Sequence, residues 1–193
     1  FSFTAFGLLR LANDPSWQDT EAYLGHSLYI AEHGGWSGFF AECFDGVFPI
    51  TERHPLYMLM LAPFASRTAE FFWTAKLFDL GCGLVLLFTL TWMAWRRFGR
   101  APAVLAAALF ASSSSLLTAS SHVDHETQFA LACLWAWWFL TQTRPDEPSS
   151  GMPGRTLQWV FAGVCLGLAY LTKSSVSLLG VAIVLAALWH AGW

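Results

Sequence analysis

The sequence predicts an all-α membrane protein, a polytopic transmembrane helix bundle. Hydrophobic residues make up 55% of its 193 residues and charged residues only 12%, whereas soluble domains carry about 25% charged residues. Several apolar runs have the roughly 17–25 residues that a helix needs to cross a bilayer. Ten Lys and Arg against thirteen Asp and Glu give no indication of nucleic acid binding. The four cysteines form neither a disulfide framework nor a metal knuckle.

The predicted spanning helices follow one another along a single domain, residues 1–193. We expect residues 1–11 to be the end of a first spanning helix of a longer polytopic protein. Five more spanning helices are predicted, at 71–95, 102–121, 126–141, 157–172 and 174–192. Residues 54–66 are too few to span and are expected to lie in the membrane interface, as is the amphipathic pattern at 16–33.

Charge asymmetry gives the predicted orientation, because cytoplasmic loops are enriched in Lys and Arg. Three arginines follow the helix at 71–95, and two more lie within the Pro- and Gly-rich linker at 142–156, so both loops are assigned to the cytoplasm. Residues 12–52 hold seven acidic residues and no Lys or Arg. The outer loop, 12–70, is therefore expected outside, together with the 121–126 turn and Lys173.

Asp19 stands near the start of the amphipathic pattern. One interpretation is a capping box, with Ser16 as N-cap and Asp19 as its third helical residue. The other is a carboxylate that acts as a general base at the membrane surface. One residue can do both.

Glu52, Arg53 and His54 directly precede an apolar segment. They are either solvated charges before a helix that has Pro55 at its first position, or a phosphate site. In a phosphate site, the Arg53 guanidinium would donate a pair of hydrogen bonds and Glu52 would hold it in place.

The segment SHVDHETQ, 121–128, lies between two predicted spanning helices. Either Asp124 or Glu126 could simply oppose the positive end of the returning helix. Alternatively His122, Asp124, His125 and Glu126 could hold a divalent cation, although no standard ligand spacing is matched.

Three further ionisable residues lie in or between apolar runs. Lys76 and Asp79 are expected to form an ion pair one helical turn apart. Lys173 either extends to the interface or faces the same outer site as the acids.

In this order, the stretches QDTEAY, ERHPLYMLMLAPF and HVDHET resemble the membrane-embedded GT-C glycosyltransferases of the protein O-mannosyltransferase and aminoarabinose-transferase type. GLAYLTKSS resembles the basic turn of the same family. RHPLY is the most specific motif. The resemblance covers nearly the whole chain, as the amino-terminal half of such an enzyme, and implies a GT-C fold with membrane-parallel helices in the first outer loop.

The resemblance also implies roles for residues. Asp19 matches the catalytic acid of the first outer loop, and Glu52 and Arg53 match an acidic–basic pair at the donor phosphate. The second acid is Asp124 in one branch of the family and Glu126 in another. The family has two consecutive prolines where this sequence has His54-Pro55. This departure leaves the role of His54 open, although it is placed with Glu52 and Arg53 at the donor phosphate.

The implied function is sugar transfer from a polyprenyl-phosphate donor to a hydroxyl of a lipid, glycan or protein. Arg53 and Lys173 would stabilise the leaving phosphate. No cofactor is certain; the candidate cofactor is a divalent metal ion held by His122, Asp124 and Glu126. The protein is expected in a bacterial inner membrane with its site on the extracytoplasmic side. The alternatives are an oligosaccharyltransferase-like enzyme and a polytopic transporter or assembly protein. The sequence leaves the sugar and the acceptor open.

Overall fold

The computed structural model describes residues 18–49, 55–141 and 152–173, together with residues 181 and 185. All regular elements within these ranges are helices, so the all-α class is confirmed there. They are α1 (Gln18–Glu32), α2 (Gly35–Phe44), α3 (Pro55–Leu61) with a 3-10 turn (Ala62–Phe64), α4 (Ala69–Phe98), α5 (Arg100–Ser112), α6 (Ser114–Ser121), α7 (Glu126–Thr141) and α8 (Met152–Thr172). The predicted helix at 1–11 and most of that at 174–192 lie outside the described residues.

The clearest membrane-spanning candidate is α4, which has 30 residues and contains the predicted span at 71–95. Among the described residues it is the one helix that is by itself long and apolar enough to cross a bilayer. Arg96 and Arg97 occupy its last turn, where positive charge interacts favourably with the helix dipole. The helix ends at Gly99, whose φ of 90° is readily adopted only by glycine.

The predicted helix at 102–121 differs from the structure, which has a break at Ser113. Helices α5 and α6 meet there at an angle of 69°. Ser113 has an extended backbone, and its hydroxyl accepts a hydrogen bond from the Leu116 amide, so it caps α6. A serine hydroxyl can bond to nearby backbone groups and so compete with helical hydrogen bonds. Here the bond of Ser113 lies at the start of a second helix, so the predicted single helix is two helices.

The linker assigned to 142–156 also differs at its end, because α8 already begins at Met152. Pro153 is compatible with this start, since the first helical turn needs no proline N–H.

The chain divides into two compact units, 1–127 and 128–193. In the first, α1 and α3 pack together, and α4 pairs with α5 and α6. The core beneath α1 and α3 is aromatic and aliphatic; it contains Tyr23, Ile30, Phe39, Tyr57, Met58, Leu61, Ala62, Phe71, Ala75 and Val123.

Glycines make the sharp turn between α1 and α2 possible. Gly34 and Gly35 have φ of 92° and 64°. A Cβ on Gly38 would lie 1.7 Å from the His33 carbonyl oxygen, so any larger residue would push α2 away from the end of α1.

Polar contacts join α1 and α2 to the residues of α3 and the segment after it at two further points. The Trp36 indole donates to the Leu59 carbonyl oxygen at 2.8 Å. Arg67 donates to both carboxylate oxygens of Glu32, at 2.6 and 3.0 Å. These bonds connect α1 and α2 with the segment around α3.

Helix α3 and its 3-10 turn together hold ten residues, or about 17 Å of helix. A bilayer core is about 30 Å thick, so this segment by itself is too short to cross it.

In the second unit, Phe139 of α7 stacks on Phe161 of α8 with ring centroids 5.4 Å apart.

Candidate active site

The turn between α6 and α7 holds an acid against an imidazole. The Asp124 Oδ1 atom accepts a hydrogen bond from the His125 backbone N–H at 2.7 Å, and it also lies 2.7 Å from the His125 Nδ1 atom. The two side chains are 33% and 15% exposed. Because a carboxylate only accepts hydrogen bonds, this contact favours the tautomer with a proton on Nδ1.

Tyr23 of α1 reaches the same imidazole from a position 102 residues earlier in the chain. Its hydroxyl lies 2.7 Å from the His125 Nδ1 atom, and its ring meets the imidazole edge-on with centroids 5.6 Å apart. Tyr23 is buried, with 4% of its surface exposed. Helix α1 is thereby bonded to the turn that carries Asp124.

A second buried tyrosine continues this polar cluster. The Tyr57 ring packs edge-on against Tyr23, with centroids 5.0 Å apart, and its hydroxyl donates to the Asp79 Oδ2 atom at 2.5 Å. Burial raises the pKa of the Tyr57 hydroxyl well above its usual value, and the negative charges of Asp79 and Asp124 raise it further. The hydroxyl therefore stays protonated and acts as a donor.

The expected ion pair between Lys76 and Asp79 stays a prediction. Both residues are buried, at 2% and 0% exposure. Lys76 places its ammonium 4.8 Å from the centroid of the Phe72 ring, an arrangement that stabilises a cation away from water. Asp79 is engaged by the Tyr57 hydroxyl, a partner that the helical spacing alone did not indicate.

Asp19 lies in the first turn of α1, four residues before Tyr23. At about 100° per residue, Asp19 is about 40° around the helix from Tyr23, and Glu21 is about 200° from Asp19. Glu21 is exposed. The side chain of Asp19 lies outside the described residues, so its role as a base stays a prediction.

Glu52, Arg53 and His54 also lie outside the described residues. The described residues begin again at Pro55, the first residue of α3. Their roles at a phosphate stay predictions.

Lys173 follows α8 in the second unit. Its backbone N–H donates to the Ala169 carbonyl oxygen at 2.9 Å, which extends the helical bonding by one residue. Its ammonium lies 5.9 Å from the centroid of the Phe129 ring, and the side chain is half-buried.

The proposed metal ligands do not form a cluster. In the ranges that the structure describes, which include His122, Asp124, His125 and Glu126, no three Asp, Glu, His or Cys side chains converge so as to hold an ion. Glu126 stands in the first turn of α7. The geometry thus offers Asp124 a histidine partner rather than a set of co-ligands.

Sequence reasoning missed the two tyrosines at this cluster. Tyr23 lies on the buried face of α1, and that face also contains the polar residues Thr20 and Ser27. Polar side chains on the buried side of an otherwise amphipathic helix were the available signal. Tyr57 lies inside the RHPLY motif, and its polar tip implied a buried partner.

Comparison with known proteins supplies the family. Residues 53–193, more than half of the chain, match the family described as dolichyl-phosphate-mannose-protein mannosyltransferase. The chain belongs to this mannosyltransferase family. The match contains α3 to α8 and the Asp124–His125 turn, and it supports a membrane glycosyltransferase of the GT-C type. No curated protein and no solved structure matches the chain.

Proposed function

We propose that this protein transfers a sugar from a polyprenyl-phosphate donor to a hydroxyl group of a lipid, glycan or protein. The transfer takes place at the extracytoplasmic face of a bacterial inner membrane, within a polytopic GT-C bundle. The family match supports the glycosyltransferase class and a lipid-phosphate donor. A nucleotide is not needed, because the departing lipid phosphate supplies the leaving group.

The observation that carries this proposal is the contact between Tyr23 and His125 at 2.7 Å. It joins α1, which bears Asp19, to the turn that bears Asp124. Two acids that are distant in sequence are thus held on elements that touch, as a site with a base and a second carboxylate requires.

The proposed reaction is a direct displacement at the anomeric carbon. Asp19 accepts the proton of the acceptor hydroxyl while that oxygen forms a bond to the anomeric carbon. The bond from this carbon to the phosphate oxygen breaks, and its electron pair leaves with the polyprenyl phosphate. One displacement inverts the configuration at the anomeric carbon.

The departing phosphate gains negative charge, which the cationic residues stabilise. We assign this role to Arg53, whose planar guanidinium suits two phosphate oxygens, and to Lys173, with Glu52 and His54 beside the arginine. Stabilisation that is stronger in the transition state than in the bound donor raises the rate.

Asp124 is the second acid in this proposal, and Glu126 is its alternative. Asp124 has one oxygen held by the His125 backbone N–H and close to its ring, so its carboxylate is oriented before substrate binds.

The test compares Asp19→Asn with the matched control Glu21→Gln in the full membrane-embedded protein. Rates are measured with a panel of polyprenyl-phosphate sugars that includes the mannose donor, and donor affinity is measured separately. We expect Asp19→Asn to lower the transfer rate about 10²–10⁴-fold with donor binding retained, because a general base is lost. Glu21→Gln should be active.

A capping role for Asp19 predicts a different result. Loss of a cap costs about 1 kcal/mol of helix stability and leaves transfer intact. If Asp19→Asn transfers sugar at the normal rate, Asp19 is not the base. If Glu21→Gln alone is inactive, the base has been assigned to the wrong carboxylate.

A further inference from the structure

One side of α4 is a continuous exposed apolar stripe. At about 100° per residue, five large side chains fall within an arc of about 60° around this helix. They are 38–71% exposed and belong to Trp73, Leu77, Leu84, Phe88 and Trp95. Leu86 and Met93, which lie about 160° and 180° around the helix from Leu84, are buried. One face of α4 therefore packs inside the protein, and the other lies on its surface.

Tryptophans stand at both ends of this stripe, and their separation matches the thickness of a bilayer. Trp73 and Trp95 are 22 residues apart, which corresponds to about 33 Å along a helix axis. The hydrocarbon core of a bilayer is about 30 Å thick. Tryptophan is enriched at both borders between this hydrocarbon and water, so the residue type and the spacing agree.

The charged residues of α4 follow the same division. Glu70 precedes the stripe, Arg96 and Arg97 follow it, and all three are exposed. Between the two tryptophans α4 has two charged residues, Lys76 and Asp79, and both are buried. Charge in contact with hydrocarbon is costly. The exposed stripe carries none.

We propose that this stripe is the lipid-contacting face of α4 and that Trp73 and Trp95 mark the two borders of the hydrocarbon. The partner of the stripe is thus the acyl region of a bilayer. Leu84 is eleven residues from each tryptophan and lies at the bilayer midplane. This inference depends neither on sugar transfer nor on which end of α4 faces the cytoplasm.

The same register places the contact between α3 and α4 inside the hydrocarbon. Asp79 follows Trp73 by six residues, which corresponds to about 9 Å of depth along the helix axis. Tyr57 of α3 donates its hydroxyl to the Asp79 Oδ2 atom at 2.5 Å, so this part of α3 lies at a similar depth. Helices of the membrane interface are buried about 5–10 Å deep. The register of α4 and the short length of α3 therefore lead separately to the same placement.

The experiment attaches a nitroxide spin label to single cysteines in the full protein, in a background without native cysteines and in phosphatidylcholine vesicles. The variants on the exposed side are Leu77→Cys, Leu84→Cys, Phe88→Cys and Phe98→Cys. Collisions of each label are measured with oxygen, which concentrates in hydrocarbon, and with a water-soluble nickel chelate. The matched control is Leu86→Cys, at nearly the depth of Leu84 but on the buried face.

The label at Leu84→Cys should collide with oxygen several-fold more often than the label at Leu86→Cys, because only the first position contacts lipid. The ratio of oxygen to nickel collisions should be highest at Leu84→Cys and lower at Leu77→Cys and Phe88→Cys. It should be lowest at Phe98→Cys, beyond the border at Trp95. This profile along the exposed side needs no buried control, so it provides the test if Leu86→Cys fails to fold.

Three results would overturn the inference. Few collisions with either reagent at both Leu84→Cys and Phe88→Cys would mean that protein covers the stripe, and a disulfide between two Leu84→Cys chains would identify a second copy as that cover. Nickel collisions as frequent at Leu84→Cys as at Phe98→Cys would mean that the stripe faces water. A highest ratio at Leu77→Cys or Phe98→Cys would refute the borders at Trp73 and Trp95.

Discussion

Removing the Tyr23 hydroxyl should weaken the connection between α1 and the Asp124–His125 turn. The bond to the His125 Nδ1 atom is 2.7 Å long, and Tyr23 is 4% exposed, so water does not readily replace the lost hydroxyl. Such a bond contributes about 0.5–1.5 kcal/mol net. Hydrogen-bonded side-chain pairs inside a membrane protein have coupling energies of about 0.6 kcal/mol on average, with a maximum of about 1.7 kcal/mol. We expect a coupling of about 1 kcal/mol.

The coupling is measured with a double-mutant cycle of Tyr23→Phe and His125→Ala, from unfolding free energies in a denaturing detergent titration. His125→Ala also removes a ring, but that loss occurs in both halves of the cycle and cancels. Transfer kinetics add a second observation. Tyr23→Phe should lower kcat about five-fold with donor KM unchanged. The substitution weakens the hold on the turn that carries Asp124 and does not touch the proposed phosphate site.

The reasoning is refuted if the effects of Tyr23→Phe and His125→Ala on the unfolding free energy add within about 0.3–0.5 kcal/mol, because substitutions at independent sites add in this way. The control cycle pairs His125→Ala with Tyr29→Phe, whose hydroxyl bonds to Glu42 instead. It should be additive. If both cycles show the same coupling, the effect reflects general loosening of the packing around α1.

Two further predictions concern topology and acid stability. In a background without native cysteines, Ser37→Cys should react with an impermeant reagent in intact cells and Ser149→Cys should not; equal labelling would overturn the orientation. Hydrogen bonds from Arg67 lower the pKa of Glu32 below its usual value of about 4.3. The stability that this pair contributes is therefore present above that pH and is lost as the pH falls through the lowered pKa. Thermal midpoints of Arg67→Ala and the parent protein should differ at pH 7 and converge in acid; a constant difference would contradict this.

Local sequence was sufficient to predict the helical class and several helix positions. The apolar run at 71–95 gives α4, because a long segment with few charges has few alternatives to a helix in a membrane. The exposure of Glu21 and Glu32 on α1 likewise follows from periodicity, which is a property of neighbouring residues.

Features that depend on distant residues could not be predicted in this way. The bond from Tyr23 to His125 joins residues 102 positions apart, and no spacing rule connects them. Asp79 is one turn from Lys76, so helical spacing suggested that pair, which stays a prediction. The hydrogen bond that Asp79 accepts from Tyr57 comes from another helix, and helical spacing could not indicate it. The break at Ser113 was missed because serine is also accepted within continuous membrane helices.

The 69° bend at Ser113 changes how far the acid turn lies along the axis of α5. A straight helix from residue 100 to residue 121 would advance about 33 Å along its axis at 1.5 Å per residue. With the bend, α5 advances about 20 Å and α6 adds only about 4 Å in the same direction, while shifting about 11 Å sideways. The Asp124 turn therefore stops about 9 Å short and about one helix diameter to the side. Under the proposed function, an acid displaced in this way would meet a lipid-linked headgroup where the acyl region ends, without the substrate rising into the water.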